Sequence, residues 1–254
     1  RSPRLGADWQ AGRVDVRWLW IFLDVPTPAD ELWQFWADAT GTQVVDVRGA
    51  GGEFATLAPP AGDPWVKLQA VGDGGGVHLD LDVEDPSAAA LFAIGLGARE
   101  VFRYPGDGYV VLRSPGGFVF CLTTWHGAAR QERGSAVLLD QLCLDIPADQ
   151  WETECAFWGA LMGIEPVTGS MNQFRVLPRP RHLPVRILLQ RKDTEGGVVT
   201  GHPDLACADR ARTRAEHEGL GARHTAEWTH WSVMTAPGGQ VYCLTDRRPA
   251  TGTL

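Results

Sequence analysis

Hydrophobic and polar residues alternate with period two along several short stretches of the chain, most cleanly over residues 77–83. The apolar positions of this stretch are Val77, Leu79, Leu81 and Val83. The polar positions, on the other face, are His78, Asp80 and Asp82. Glu84, Asp85 and Pro86 interrupt the alternation just before an alanine-rich run. This order predicts a strand, a tight turn and a helix from about Pro86 to Leu96, with the apolar face packed under the helix.

The same arrangement occurs near the start of the chain, where residues 18–25 predict a strand. One face carries Leu19, Ile21, Leu23 and Val25, and the other carries Trp18, Trp20, Phe22 and Asp24. A helix that begins at Pro28 or Ala29 and ends at Gly41 should follow. Short alternating runs predict three strands at 43–47, 54–57 and 65–70, and three more at 100–104, 109–113 and 118–123. The first half is therefore predicted to contain two consecutive βαβββ units.

The second half of the chain repeats the first with an offset of 120–124 residues. Leu142-Cys-Leu-Asp-Ile-Pro147 matches Ile21-Phe-Leu-Asp-Val-Pro26, and His202 stands where His78 stands in the first half. Such repetition predicts a tandem duplication, with domains at 17–125 and 136–246 joined by a polar linker at 126–135. Two fused copies would mimic a homodimer, so we expect a pseudo-dimeric monomer or a homodimer.

Composition narrows the classes of function. A net charge of −8 and a pI near 5.3 argue against a nucleic-acid partner, which needs clustered cations. No apolar run is long enough to span a bilayer, and residues 1–10 lack the apolar core of a signal peptide. The five cysteines are odd in number and scattered, which predicts a chain without disulfides in a reducing cytoplasm.

The βαβββ units and the Pro-Gly-Gly-x-x-x-Cys-Leu ending of each half resemble the vicinal oxygen chelate superfamily, in particular its glyoxalase-like members. That superfamily includes glyoxalase I, bleomycin resistance proteins and extradiol dioxygenases. The resemblance implies an α+β fold in which four βαβββ units form two tandem glyoxalase-like domains with cupped mixed sheets and outer helices. It also implies metal ligands at two kinds of position: His or Gln on the first strand of a unit, and Glu on the last strand.

The first-strand positions in this chain are Trp20, His78, Gln141 and His202, and the last-strand positions are Lys67, Cys121, Leu188 and Cys243. None of the last-strand residues is a carboxylate, and a tryptophan cannot bind a metal. We therefore expect no metal cofactor. The remaining set that could hold a divalent ion such as zinc is Gln141, His202 and Cys243, in the second domain.

These residues favour a metal-free small-molecule binding protein of the bleomycin resistance type, with an apolar or aromatic ligand in a cupped sheet. The candidate ligand-binding residues are Trp18, Trp20, Phe22, His78, Asp80, Cys121, Gln141, His202, Asp204 and Cys243. One alternative is a metal-dependent lyase, isomerase or dioxygenase in the second domain, or a metal-free enzyme with His202 and Asp204 as catalytic residues. Another is a non-catalytic interaction domain whose cups are filled by their own side chains.

Overall fold

The computed structural model describes residues 14–72, 74–106, 108–127, 129–169 and 171–254. The signal-peptide prediction for residues 1–10 concerns a part of the chain outside these ranges. The first half forms β1 (Trp18–Pro26), α1 (Asp30–Thr40), β2 (Gln43–Arg48), β3 (Phe54–Ala58), β4 (Val66–Val71), β5 (Gly76–Val83), α2 (Pro86–Gly95), β6 (Arg99–Arg103), β7 (Tyr109–Arg113) and β8 (Val119–Thr124). The second half forms β9 (Val137–Ile146), α3 (Trp151–Met162), β10 (Val167–Thr168), β11 (Phe174–Leu177), β12 (Arg186–Arg191), β13 (Thr200–Cys207), α4 (Arg210–Gly219), β14 (Arg223–Glu227), β15 (Trp231–Thr235) and β16 (Val241–Thr245).

Each half builds one eight-stranded mixed sheet, and the two sheets have the same topology. The strand order is β2-β3-β4-β1-β5-β8-β7-β6 in the first sheet and β10-β11-β12-β9-β13-β16-β15-β14 in the second. The two central strands of each sheet, β1 with β5 and β9 with β13, pair antiparallel, and each also pairs in parallel with its outer neighbour. The predicted α+β architecture of two tandem domains is confirmed.

Local sequence signals explain where the helices begin and end. Gly41 ends α1 in the left-handed conformation with φ 64°, which glycine adopts without a steric penalty. The side chain of Asp85 caps α2 by accepting a hydrogen bond from the Ala88 backbone N–H at 2.9 Å. Asp209 caps α4 in the same way through Arg212 N–H. The strand and helix boundaries predicted from the alternation agree with the structure to within one or two residues.

Two of the helices pack against the sheet of the opposite domain. On α1, Trp36 lies with its ring centroid 5.2 Å from that of Tyr242 in the second sheet. On α3, Trp158 lies 5.3 Å from Phe120 in the first sheet. The aromatic residues of both helices are therefore core residues, and the core that they form joins the two domains.

The sheets also approach each other directly, through β5 and β13. Gly201 on β13 permits this approach, because a Cβ atom there would lie 3.0 Å from the side chains of both Val77 and Phe118. The predicted site residues lie on the faces of the sheets that bear the alternate polar positions of the central strands. We call these faces the first cup, which contains Trp20, Lys67 and His78, and the second cup, which contains Gln141, His202 and Cys243.

None of the described helices combines the length and the hydropathy that a membrane crossing requires.

Candidate metal centres and ligand cavities

In the first domain, a histidine lies between two carboxylates and close to a thiol. His78 Nδ1–H donates to Asp24 Oδ2 at 2.8 Å, and His78 Nε2 lies 3.8 Å from Asp80 Oδ1. Cys121 pairs with Asp80 across β5 and β8, which brings its sulfur to the same place. We call Asp24, His78, Asp80 and Cys121 the first cluster.

The second domain contains the equivalent second cluster, formed by Asp145, His202, Asp204 and Cys243. His202 Nδ1–H donates to Asp145 Oδ2 at 2.7 Å, and its Nε2 lies 3.4 Å from Asp204 Oδ1. Asp204 pairs with Cys243 across β13 and β16, as Asp80 pairs with Cys121. The strand register therefore places the same four residue types in the same arrangement in both sheets.

The two clusters differ at the residue opposite the histidine. In the first, the Phe22 ring stacks on His78, with centroids 4.4 Å apart. In the second, Cys143 occupies this place and lies with Asp145 and His202 in a further group of potential ligands. The second cluster thus offers one more donor atom than the first.

Burial and the neighbouring carboxylates set the electrostatics of the two clusters. Burial opposes protonation of His78, but the hydrogen bond and negative charge of Asp24 raise its pKa above the usual value. Burial likewise opposes protonation of His202, but its interactions with Cys143, Asp145 and Cys243 raise its pKa well above the usual value. Burial raises the pKa values of Asp80 and Asp204. Both histidines therefore lie in a field that favours a positive charge.

The thiols of the clusters are poor nucleophiles as they stand. Burial, followed by the charge of Asp80, raises the pKa of Cys121, and burial raises the pKa of Cys243 to about 11. A reactive cysteine needs a lowered pKa, which neither residue has. All five cysteines are free, in agreement with the predicted absence of disulfides.

The donor atoms in both clusters fit a divalent metal ion. The nitrogen, oxygen and sulfur atoms that His78, Asp80 and Cys121 can offer lie within 4.8 Å of one another, and so do those of His202, Asp204 and Cys243. Oδ1 of Asp80 and Oδ1 of Asp204 are buried and accept no hydrogen bond from the described residues. A buried carboxylate oxygen without a donor is costly, and a cation would satisfy it.

Gln141 is held by other contacts. Its amide nitrogen donates to Asp204 Oδ2, and its amide oxygen accepts from the guanidinium groups of Arg186 and Arg247. Arg247 also donates to Asp140 Oδ2 at 2.7 Å. The oxygen that the sequence suggested as a ligand is thus engaged by two cations, and the carboxylate of Asp204 lies beside His202 instead.

A cavity of about 970 Å³ lies between the domains and connects the two clusters. His78 and Asp24 line it from one side, and His202 and Asp145 from the other. Its remaining walls are mostly apolar or glycine, with Arg113 and Lys192 as its cationic residues among those described. The sequence gives no indication of this cavity, because it forms only when the sheets pack together.

A second cavity, of about 380 Å³, opens in the first cup. Trp18, Trp20 and Trp125 line it together with Lys67 and Asp82. The three aromatic residues that share one face of β1 therefore lie in two different environments. Trp18 and Trp20 border this cavity, whereas Phe22 is buried against His78.

Asp24 and Asp145 were absent from the predicted site. Each stands in the Leu-Asp-Val/Ile-Pro motif that occurs in both halves of the chain, so the internal repeat carried a signal for them. The internal repeat carried no such signal for Arg186 and Arg247, because these arginines have no counterpart in the first half.

Comparison with known proteins agrees with this fold. The model of the glyoxalase-like domain family matches residues 20–123 and again residues 141–245. The solved Mn(II)-bound glyoxalase from Novosphingobium aromaticivorans superposes with a TM-score of 0.62 at 20% identity, over 95% of this chain and 84% of that one. An extradiol ring-cleaving dioxygenase from B. fuscum gives a TM-score of 0.65 at 14% identity, over 95% of this chain and 75% of that one. The 2,2',3-trihydroxybiphenyl 1,2-dioxygenase from Sphingomonas wittichii gives a TM-score of 0.59 at 18% identity, over 91% of this chain and 90% of that one. No curated protein matches the chain significantly in sequence.

The expectation that the protein has no metal cofactor is wrong. A protein of this fold binds Mn(II), and the described residues contain three groups of ligand atoms that could hold a metal ion. The expectation failed because it looked for a carboxylate on the last strand of each unit. Here the carboxylates of Asp80 and Asp204 come from the strand of the histidine itself, two residues further along.

Proposed function

Because the chain belongs to the glyoxalase-like domain family, we propose that it is a metal-dependent enzyme of the glyoxalase type, a lyase or isomerase acting on a small organic molecule. The observation that carries this proposal is the second cluster, in which the Nε2 edge of His202 faces an unpartnered oxygen of Asp204 and the sulfur of Cys243. A set of three protein ligands that leaves a position open is typical of a catalytic metal site.

The donor types favour zinc. A thiol ligand suits zinc better than manganese, which prefers oxygen donors. The extra thiol of Cys143 makes the second cluster the stronger candidate of the two. A divalent ion bound there would act as a Lewis acid toward a carbonyl or hydroxyl oxygen of the substrate.

The residues around the cluster have separate roles. Asp145 accepts the Nδ1 proton of His202 and so fixes the tautomer that leaves Nε2 free for a metal. His202 also forms part of the wall of the interdomain cavity, so the centre adjoins the space in which a substrate would bind. Lys192 lies 3.7 Å from Asp145, and its ammonium in the cavity wall favours a substrate that is anionic or develops negative charge.

Metal analysis of the protein purified without chelator tests this proposal. We expect zinc at one or two ions per chain, and we expect His202→Ala to lose one of them. His224→Ala removes a half-buried histidine outside both clusters and serves as the matched control, with an unchanged zinc content. Protein that binds no metal, or a His202→Ala variant with the wild-type content, would rule the proposal out.

We also infer that the first cup binds an apolar or aromatic molecule. The support is the cavity of about 380 Å³ with three tryptophans in its wall. Indole faces stack well on flat rings and bury a large apolar area on contact. This site lies apart from the residues of the second cluster.

A further inference from the structure

Lys67 lies in the first cup with its ammonium group on aromatic rings. Its Nζ atom is 4.0 Å from the centroid of the Trp20 ring and 5.3 Å from that of Phe22. The side chain is half-buried and also borders the 380 Å³ cavity. Cation–π contact of this kind holds the ammonium in one place but supplies no hydrogen-bond acceptor.

Within the described ranges, the Lys67 ammonium makes no hydrogen bond and no ion pair. Asp80 and Asp82 are acidic residues whose charges act on it, and neither forms an ion pair with it. Asp82 accepts from Trp20 Nε1 at 3.0 Å and from Thr123 Oγ1 at 2.6 Å, one donor on each oxygen. Asp80 lies beside His78, in the first cluster. Because burial withdraws the ammonium from water, the pKa of Lys67 is lowered, although the charges of Asp80 and Asp82 counteract this.

The contacts of Asp82 also determine the shape of the cavity. Its hydrogen bond fixes the indole of Trp20, so the ring that carries the ammonium is held in place before any ligand arrives. Trp18 and Trp125 complete an aromatic wall next to it. Among the described residues of its wall, the cavity thus combines aromatic surfaces with one lysine ammonium that makes no hydrogen bond, while the Arg17 guanidinium lies 4.6 Å from the centroid of the Trp125 ring.

The second cup lacks this arrangement. The residue equivalent to Lys67 is Leu188, and the residue equivalent to Trp20 is Gln141, which is bound by two arginines. Lysine is also rare in this chain: Lys67 and Lys192 are its only two lysines, beside 21 arginines. The pairing of a lysine with a tryptophan is therefore specific to the first cup and does not follow from the duplication of the fold.

We propose that the first cup binds a small aromatic carboxylic acid, whose carboxylate pairs with Lys67 while its ring stacks on the tryptophans. This rests on the proposed role of the first cup as a site for aromatic molecules and adds the charge of the ligand. An ammonium–carboxylate bond in a partly dry cavity is both shorter and stronger than a neutral hydrogen bond. A neutral aromatic molecule would leave the Lys67 donors without a charged partner.

Titration with benzoate and with benzamide, followed by calorimetry and tryptophan fluorescence, tests the proposal. The two compounds have the same ring and nearly the same shape, and only benzoate is charged. We expect benzoate to bind about tenfold more tightly than benzamide, as the loss of a charged hydrogen bond implies. Lys67→Met should abolish this preference, whereas Arg212→Met, which removes an exposed cation of α4 that lines neither cavity, should retain it.

The outcomes distinguish a failure of the Lys67 contact from a failure of the aromatic site as a whole. Binding of benzamide by Lys67→Met with wild-type affinity would show that the variant is folded and its cavity intact. Equal affinity of the wild type for the two compounds, or an undiminished preference in Lys67→Met, would overturn the role of Lys67 while leaving the aromatic site in place. If neither compound binds, the aromatic site itself is refuted, and the role of Lys67 with it.

Discussion

At the scale of single residues, the most informative atoms are the carboxylate oxygens of Asp24 and Asp145. Each accepts the Nδ1 proton of a cluster histidine, at 2.8 Å and 2.7 Å respectively. Partners of this kind orient metal-binding histidines and make them better ligands. The same contact in both domains indicates that the orientation of the histidine is a property of the ancestral unit.

Replacing Asp145 with asparagine should therefore weaken zinc binding without abolishing it. The amide keeps the size of the side chain but removes the negative charge that supports His202, and changes of this type cost roughly 10- to 100-fold in affinity. Competition with a chromogenic chelator measures the effect. Asp38→Asn alters a carboxylate on the surface of α1 and is the control. Wild-type affinity in Asp145→Asn would show that Asp145 has no part in the centre.

The sequence predicted part of this site and missed part of it, for identifiable reasons. His78 and His202 follow from the internal repeat, because the repeat fixes equivalent positions without any knowledge of the fold. Asp24 and Asp145 share a strand face with Trp20 and Gln141, four residues earlier on the same strands, but their contact with the histidines depends on the register of the neighbouring strands. The alternation of polar and apolar residues determines on which face of a strand a side chain lies. It does not determine which residue lies opposite on the neighbouring strand.

At the scale of elements, α4 and α1 are tied together by a histidine between the domains. His217 on α4 donates from Nε2 to the backbone oxygen of Ala39 on α1 at 2.9 Å. Its Nδ1 accepts from the Tyr242 hydroxyl at 2.9 Å. The residue is almost entirely buried, and burial lowers its pKa. The neutral imidazole is thus the form that joins the helices.

This contact should make stability depend on pH in one direction. Since the pKa of His217 is lower in the folded state than in the unfolded chain, its contribution is complete above about pH 6.5 and is lost as the pH falls through the folded value. Chemical denaturation of the wild type and of His217→Gln, between pH 8 and pH 5, measures it. The free energy of unfolding of the wild type should fall relative to that of the variant as the pH falls, by about 1.4 kcal/mol for each unit by which the pKa of His217 is lowered.

His126→Gln, which removes an exposed histidine, is the control for this experiment. A constant difference between the wild type and His217→Gln across the range would contradict the prediction. The sequence could not have supplied it, because the helical pattern of α4 shows only that His217 lies on a buried face. Its partners are Ala39 on α1, 178 residues earlier in the chain, and Tyr242 on β16, 25 residues later.

At the scale of the whole molecule, the duplicated halves exchange parts of their cores. Phe35 and Trp36 of α1 pack on Tyr242 in the second sheet, and Phe157 and Trp158 of α3 pack on Phe120 in the first. Glu154 on α3 adds a polar contact, because it accepts from the Gly116 backbone N–H at 2.6 Å. The sequence predicted two domains with their own helices, and only the packed structure shows that each domain completes the core of the other.

Separate halves of the chain should consequently be unstable alone. A fragment of residues 14–127 would expose the aromatic face of α1, and a fragment of residues 129–254 would expose that of α3. Fully burying a large apolar side chain contributes about 1.5–3 kcal/mol, so loss of several such contacts approaches the roughly 5–15 kcal/mol that stabilises a typical protein. We expect each fragment to lack a cooperative unfolding transition by circular dichroism, and an equimolar mixture to regain one. Cooperative unfolding of either fragment alone, at the denaturant midpoint of the whole chain, would show instead that the exchanged aromatic residues are dispensable and that each half folds on its own core.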